Sequence, residues 1–328
     1  MIVLEEGIYD KYMRIKVVTR FYRSSLVGRL FCFLLSTIGI IKEVTFMKKL
    51  LTLLLVLVLG LGLTGCGSKN SDSISIAVPN DTTNEARALT ILENNGIIKL
   101  KDGAGITATK NDIVENPYNV EIVEVEAAQI PNVLKDVDFA VINSNYAIDA
   151  GINPSKDSLV LEGSYSAYSN ILAVKEGRES DPIILALKAA LESKQVKEYI
   201  DGKYEGAVVS TVENLTDGYD ASVDYSALKG QTVSVAASPT PHAEILNVVK
   251  DILASKDITL KIVEFTDYVQ PNNVVDSGEI DANYFQHLPY LENFNIENGT
   301  HVVSIAPIHV EPMGLYGGKS TSLDVFSK

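Results

Sequence analysis

Ile74-Ser75-Ile76-Ala77-Val78-Pro79-Asn80-Asp81-Thr82-Thr83-Asn84-Glu85-Ala86-Arg87-Ala88-Leu89 is the stretch that decides the fold class. Ile74, Ile76 and Val78 alternate with small residues, the pattern of a short buried strand, and Pro79-Asn80-Asp81 breaks it. Thr82 stands three residues before Glu85, the spacing of a capping box, so a helix is predicted to begin there. A strand that stops at a helix N-terminus leaves free backbone N–H groups beyond the sheet edge. Arg87, in the first turns of that helix, adds a guanidinium fork suited to gripping a carboxylate. Spacing alone would suit an ordinary surface arginine equally well.

A second unit of the same build follows at Val233-Ser234-Val235-Ala236-Ala237-Ser238-Pro239-Thr240-Pro241-His242-Ala243-Glu244-Ile245-Leu246. Here the strand stops at Pro, and the helix is predicted to start with Thr240 as N-cap and Pro241 at its first position. Further strands are predicted at 119–126, 139–142, 168–174, 260–265, 302–305 and 308–316, with helices at 181–193 and 194–204. Such alternation indicates an α/β construction with largely parallel sheets. Polar residues at strand C-terminal ends then collect in a crevice; Asn143 sits at such an end, and Asn170 enters the next strand. Two lobes of similar size imply a cleft between them.

The chain of 328 residues has room for two domains, and its formal charge of −14 argues against nucleic acid as a partner. Two cysteines, Cys32 and Cys66, are too few for a disulfide framework or a thiolate metal site. Residues 47–66 combine Met-Lys-Lys, an apolar run and a closing Leu63-Thr64-Gly65-Cys66. This resembles a bacterial lipoprotein signal, which implies cleavage before Cys66 and lipid attachment to its sulfur and new amino group. The rival, a plain transmembrane helix, is disfavoured because the apolar run is short for a full span. Residues 67–73 read as a polar tether. Residues 1–46, basic and with a second apolar patch, are read as an extension upstream of a true start at Met47; an extra membrane helix is the rival. Residues 67–328 carry 19 Lys and Arg against 38 Asp and Glu, an acidic body held at the membrane by lipid rather than by charge.

Several strings together resemble the NlpA family of methionine-binding lipoproteins, the substrate-binding proteins of ABC importers. They are Ser238-Pro-Thr-Pro-His-Ala-Glu, Phe265-Thr-Asp-Tyr-Val-Gln-Pro-Asn272, Asp281-Ala-Asn-Tyr-Phe-Gln-His287, His309-Val-Glu-Pro-Met-Gly-Leu-Tyr316, Val78-Pro-Asn-Asp-Thr-Thr-Asn-Glu-Ala-Arg87, Val141-Ile-Asn-Ser-Asn-Tyr-Ala147 and Tyr168-Ser-Asn170. The resemblance implies an α/β, two-lobed, periplasmic-binding-protein-like fold. The order differs: in the family the Ser-Pro-x-Pro-His unit comes first. The expected fold is therefore circularly permuted. Its parts are a ligand-binding lobe with Arg and Asn residues (74–170), a crossover with helices (171–209), a linker (210–229) and a lobe with aromatic residues (230–328). The crossing at 309–316 would then run on to a free end, held to the first lobe partly by packing of 321–326, so that the lobes open more freely.

By the same resemblance the protein captures methionine, L- and D-, and hands it to an ABC permease as a lipid-anchored monomer on the extracytoplasmic face of the cell membrane. Arg87 would take the carboxylate, Asn143 and Asn170 the zwitterion, and Tyr268, Phe285 and His287 the thioether slot. Asn84 is read equally as a ligand contact or a capping residue, and Tyr284 and Tyr290 as core or rim. The alternative function is metal capture by His287, His309 and Glu311, a thin ligand set without a His-rich loop. An enzyme is not expected: Ser238 and His242 lie in a proline-fixed turn, and no Gly-x-Ser-x-Gly elbow occurs. No cofactor is implied.

Overall fold

The opening strand, β1 (Ile74–Pro79), buries Ile76, Ala77 and Val78 completely, so both of its faces are covered. A computed structural model describes residues 73–163 and 168–327. The signal, Cys66, the tether up to residue 72 and the extension 1–46 lie outside the described residues. After β1 come α1 (Thr82–Asn94), a small hairpin of β2 (Lys99–Leu100) and β3 (Ile113–Glu115), β4 (Val120–Val125), β5 (Phe139–Ile142), α2 (Ser144–Asp149) and β6 (Val160–Leu161). A second group follows: β7 (Ser169–Lys175), α3 (Pro182–Leu191), α4 (Lys194–Tyr204), β8 (Val209–Ser210), β9 (Thr232–Ala237), α5 (Glu244–Ala254), β10 (Thr259–Glu264), α6 (Gln270–Asp276), β11 (Ala282–His287), α7 (Leu288–Asn298) and β12 (Val302–Val310). The last strand is β13 (Gly314–Gly317).

Two sheets define two lobes. The first runs β4–β1–β5–β13–β6 and the second β10–β9–β11–β7–β12–β8. Both are mixed rather than largely parallel. β4–β1–β5 and β10–β9–β11 are parallel, but β13 joins β5 antiparallel, and β7 and β12 add antiparallel strands to the second sheet. The cause is the path of the chain. It passes between lobes twice, after Glu162 and after Val310, and each return enters a sheet in the opposite direction.

These strand memberships shift the division drawn from the sequence. β7 lies inside the second sheet, and β13, from the C-terminal segment, lies inside the first. β13 is hydrogen-bonded to β5 on one side and β6 on the other, so the second crossing is fixed by a strand ladder and not by packing alone. The short turn Leu323–Phe326 also returns to this lobe, where Phe326 stands 5.3 Å from Tyr118 and 5.2 Å from Phe139, ring centre to ring centre.

The helices cover the sheets through apolar stripes. In α5, Ile245, Leu246, Val249, Ile252 and Leu253 recur at helical spacing and are all buried. Each such side chain contributes roughly 1.5–3 kcal/mol by leaving water. α4 is capped by Ser193, whose hydroxyl accepts from Val196 N, and α7 ends on Gly299 at φ +66°, where a side chain would be strained. α5 begins at Glu244, not at Thr240: Thr240 is extended (φ −127°, ψ 135°), and the two prolines hold a separate turn before the helix.

Candidate functional site

Between the lobes, Asn84, Arg87, Asn143, Asn170, Tyr268, Phe285 and His287 line one cavity, together with Ser144, Asn145, Gln286, Tyr290 and Glu311. The seven residues proposed from the sequence are thus brought together, although they span 203 positions from Asn84 to His287. The lobes also touch directly across it. Tyr268 Oη donates to Asn145 Oδ1 (2.7 Å), Tyr146 Oη to the Thr266 carbonyl (3.1 Å), and the Tyr146 and Tyr268 rings lie 5.0 Å apart.

The N-terminus of α1 orients one wall. Its cap is Asp81, not Thr82: Asp81 Oδ1 accepts from Asn84 N (3.0 Å) and from Asn84 Nδ2 (2.9 Å). Glu85 does not close a capping box but accepts from Lys110 N, in the loop before β3. Burial pushes the Asp81 carboxyl up from its usual pKa, and the bonds from Asn84 oppose this. With Nδ2 committed to Asp81, Asn84 presents Oδ1 to Asn143 Nδ2 (2.9 Å) and to His287 Nε2 (3.3 Å). His287 Nδ1 accepts from Tyr290 N, so the ring proton is on Nε2 and the imidazole is neutral. Burial, and then the Arg87 charge, hold its pKa well below the ordinary value. Asn84 is therefore held by the cap without being the cap, and it lines the cavity.

Arg87 differs from the expectation. Its guanidinium is already held by Glu162: Nε donates to Oε1 (2.9 Å) and Oε2 (3.0 Å), and Nη2 donates to Oε2. Nη2 also donates to the Glu311 carbonyl (2.8 Å), and the guanidinium carbon stands 4.4 Å from the centre of the Tyr168 ring. Among the described residues, Nη1 makes no hydrogen bond. The physical reason is burial: Arg87 is 4% exposed, and a cation so deep requires a partner. Nothing in the sequence marks Glu162, a single acidic residue after Val160-Leu161.

The opposite wall is aromatic. Tyr268, Phe285 and Tyr290 lie about 6 Å apart, ring to ring, and Tyr290 Oη donates to the Tyr268 carbonyl. Tyr290 thus lines the cavity, whereas Tyr284 is core, fully buried and bonded to His309 Nδ1.

Beneath the cavity, His309 Nε2 donates to Glu311 Oε1 (2.9 Å), and His242 Nε2 lies 3.2 Å from the same oxygen and 2.9 Å from Asn170 Oδ1. The metal trio expected from the sequence is corrected here. His309 and Glu311 are grouped with His242, and His287 belongs to the Asn84 network. Burial lowers the pKa of both His242 and His309 to about 3 and raises that of Glu311, where the His242 and Arg87 charges pull it back.

The cavity between the two mixed α/β lobes thus has polar groups on one wall and rings on the other. The sequence model of the NlpA lipoprotein family matches residues 69–212 and 233–328, and the chain belongs to this family. It is 46% identical over 135 residues to the membrane lipoprotein TpN32 of Treponema pallidum, and 40% identical over 136 residues to the D-methionine-binding lipoprotein MetQ of Escherichia coli. Each match covers 41% of this chain and 50% of the relative, so the chain spans about half the length of the curated relatives it matches. A solved nutrient-binding protein from Burkholderia cenocepacia, bound to methionine, is 45% identical, with 43% of this chain and 59% of that one covered and a TM-score of 0.42. Among the described residues no helix is long and apolar enough to cross a membrane.

Proposed function

We propose that the body binds methionine in the interlobe cavity and delivers it to an ABC importer while anchored by lipid on Cys66 at the extracytoplasmic face of the cell membrane. The observation that carries this reading is the convergence of Arg87, Asn143 and Asn170 with Tyr268, Phe285 and His287 around one cavity. An α-amino acid with a thioether tail requires both walls: charge-assisted bonds for its polar end and ring edges for its sulfur. A relative named as a D-methionine-binding lipoprotein supports the ligand class, and both enantiomers are included. Calorimetry with L- and D-methionine on residues 67–328 tests it. Micromolar or tighter binding is expected, and no heat with either enantiomer refutes the reading.

The order of the halves is read as a circular permutation that leaves the lobes intact. The two segments matched by the family lie on either side of residues 213–232, and collinear relatives align over half their length. Phe326 docks between Tyr118, in the turn before β4, and Phe139 of β5, and β4 and β5 flank β1, so the last described turn lies close to the first strand. Gel filtration with thermal unfolding should give a cooperative monomer; aggregates or an obligately swapped dimer count against it. Metal capture is the second reading, on the strength of the His242–His309–Glu311 cluster alone. His309 Nε2 is already hydrogen-bonded to Glu311 and His242 Nε2 to Asn170, which ranks this reading second. A rise in melting temperature on adding zinc would promote it.

A further inference from the structure

The strand behind the aromatic wall breaks its own alternation. On β11, Ala282 and Tyr284 belong to the buried cluster that holds the α3 and α5 side chains. Asn283 points the other way, to α6, where its Nδ2 donates to Asn272 Oδ1 (2.9 Å) and to the Pro271 carbonyl (3.2 Å). Side chains three apart on a regular strand lie on opposite faces. Yet Gln286, three residues after Asn283, donates through Nε2 to Asn283 Oδ1 (3.0 Å) and so shares its face. The ladder explains this. Against β7, Tyr284 pairs with Leu172 and Gln286 with Ile171, which makes Phe285 an extra residue, and pairing with β9 on the other side stops at Tyr284. Such a bulge bends the strand and re-aims the residue it adds. The added residue here lines the cavity, with its ring 6.0 Å from that of Tyr268 and 6.1 Å from that of Tyr290.

Three buried amides hold the bulge in place. Asn272 Nδ2 donates to Gln286 Oε1 (2.8 Å), and Gln286 Nε2 returns a bond to Asn272 Oδ1 (2.7 Å), which closes a triad of Asn272, Asn283 and Gln286. All three side chains are buried. Without the extra residue at Phe285, Gln286 would turn toward the apolar cluster around Tyr284, and its amide would be buried there away from its partners, at a cost. The triad thus selects Phe285 as the bulged position. It also reaches a second ring of the wall. Asn272 sits in the first turn of α6, and Tyr268 stands two residues before that helix, in a turn where Asp267 Oδ1 accepts from Val269 N and Gln270 N, each at 2.8 Å.

We propose that the Asn272–Asn283–Gln286 triad is a positioning element which, by fixing the bulge at Phe285 and the spacing of Phe285 from Tyr268, sets the length of apolar tail the cleft accepts. This assignment rests on the methionine reading above and adds the residues that make the slot selective for tail size. Asn272 and Asn283 stand behind the wall and act through Phe285 and Tyr268. Loss of the triad frees the bulge, the slot loosens, and a longer tail enters at less cost.

Methionine and ethionine, which differ by one methylene at the end of the tail, separate a positioning role from a structural one when both are titrated calorimetrically. One methylene in a shaped apolar pocket is worth roughly 10–200-fold, so the unaltered protein should prefer methionine by at least about tenfold. Asn272→Leu removes both bonds to Gln286 and should shrink that preference to about threefold or less. Asn283→Thr keeps the reciprocal Asn272–Gln286 pair and should shrink it by about two- to threefold; this variant decides if Asn272→Leu does not fold. Weakening of both ligands in step, with the preference unchanged, is the signature of a merely structural role and overturns the proposal. So does an unaltered protein that binds the two alike. Absence of heat with methionine in the unaltered protein is a different result: it removes the methionine reading, and the slot assignment falls with it.

Discussion

Replacing Glu162 with Ala removes the partner that Arg87 uses through Nε and Nη2, and also the acceptor for Met313 N at 3.0 Å. Arg87 cannot move to water, because α1 holds it inside the lobe and the Tyr168 ring covers it. It keeps only the Glu311 carbonyl among these contacts. Breaking a buried ion pair from one side costs about 3–5 kcal/mol, since the remaining charge is left uncompensated. In a body of this size each kcal/mol moves the melting temperature by roughly 2–4 °C, so a fall of about 6–20 °C is expected. Thermal and urea unfolding followed by circular dichroism measure it. The double variant Arg87→Met, Glu162→Leu should be more stable than Glu162→Ala, because it removes both charges. Glu162→Ala should also show a larger methionine-induced rise in melting temperature, since a ligand carboxylate can then occupy the vacated edge of the guanidinium. A melting temperature within about 2 °C of the original protein would refute the reasoning and reduce the pair to a solvated surface contact.

Arg87→Ala should weaken methionine binding by about 100-fold in calorimetry, the loss of a charge-assisted contact in a desolvated cavity. Tyr268→Phe deletes the 2.7 Å bond to Asn145 that ties the lobes and should cost about 0.5–1.5 kcal/mol, read as a roughly 3–10-fold faster ligand dissociation in stopped flow. Gly318→Ala places a methyl group 2.1 Å from the Leu134 carbonyl oxygen and 2.4 Å from that of Val137, and should lower the melting temperature by several degrees while leaving the ligand ranking unchanged. Urea midpoints should fall as pH drops below about 6.5. The unfolded chain then protonates His242, His287 and His309, which stay neutral when folded, at up to about 1.4 kcal/mol per pH unit for each. Glu311, whose folded pKa is raised, works in the opposite sense and softens the slope. A flat profile between about pH 7 and pH 5 would contradict the buried neutral rings.

What could be read from the chain was unequal, for physical reasons. The seven cavity residues were legible because they sit in strings where a strand ends and polar or aromatic types break an apolar pattern, and their family likeness travels with those strings. The mixed sheets were not legible, since a strand's direction depends on which lobe the chain has just left, and β12 and β7 look alike whichever way they run. Thr82 and Glu85 have the spacing of a capping box, but Asp81, one residue earlier, accepts from both the backbone N–H and the side-chain amide of Asn84 with one carboxylate oxygen. Glu162 gave no signal at all: its role depends on Arg87, 75 residues away. Glu311 was visible as a possible ligand of a metal, but only the folded chain reveals that His242 stands beside it and His287 elsewhere.

The clasp formed by Arg87 and Glu162 has a mechanical meaning. Glu162 stands where the chain first leaves the β1 lobe, while the Glu311 carbonyl and Met313 N belong to the segment that comes back, so one arginine and one glutamate lash both strands of the pivot together. The same arginine borders the pocket. A substitution at this corner therefore acts on the polar wall of the cavity and on both connecting segments at once.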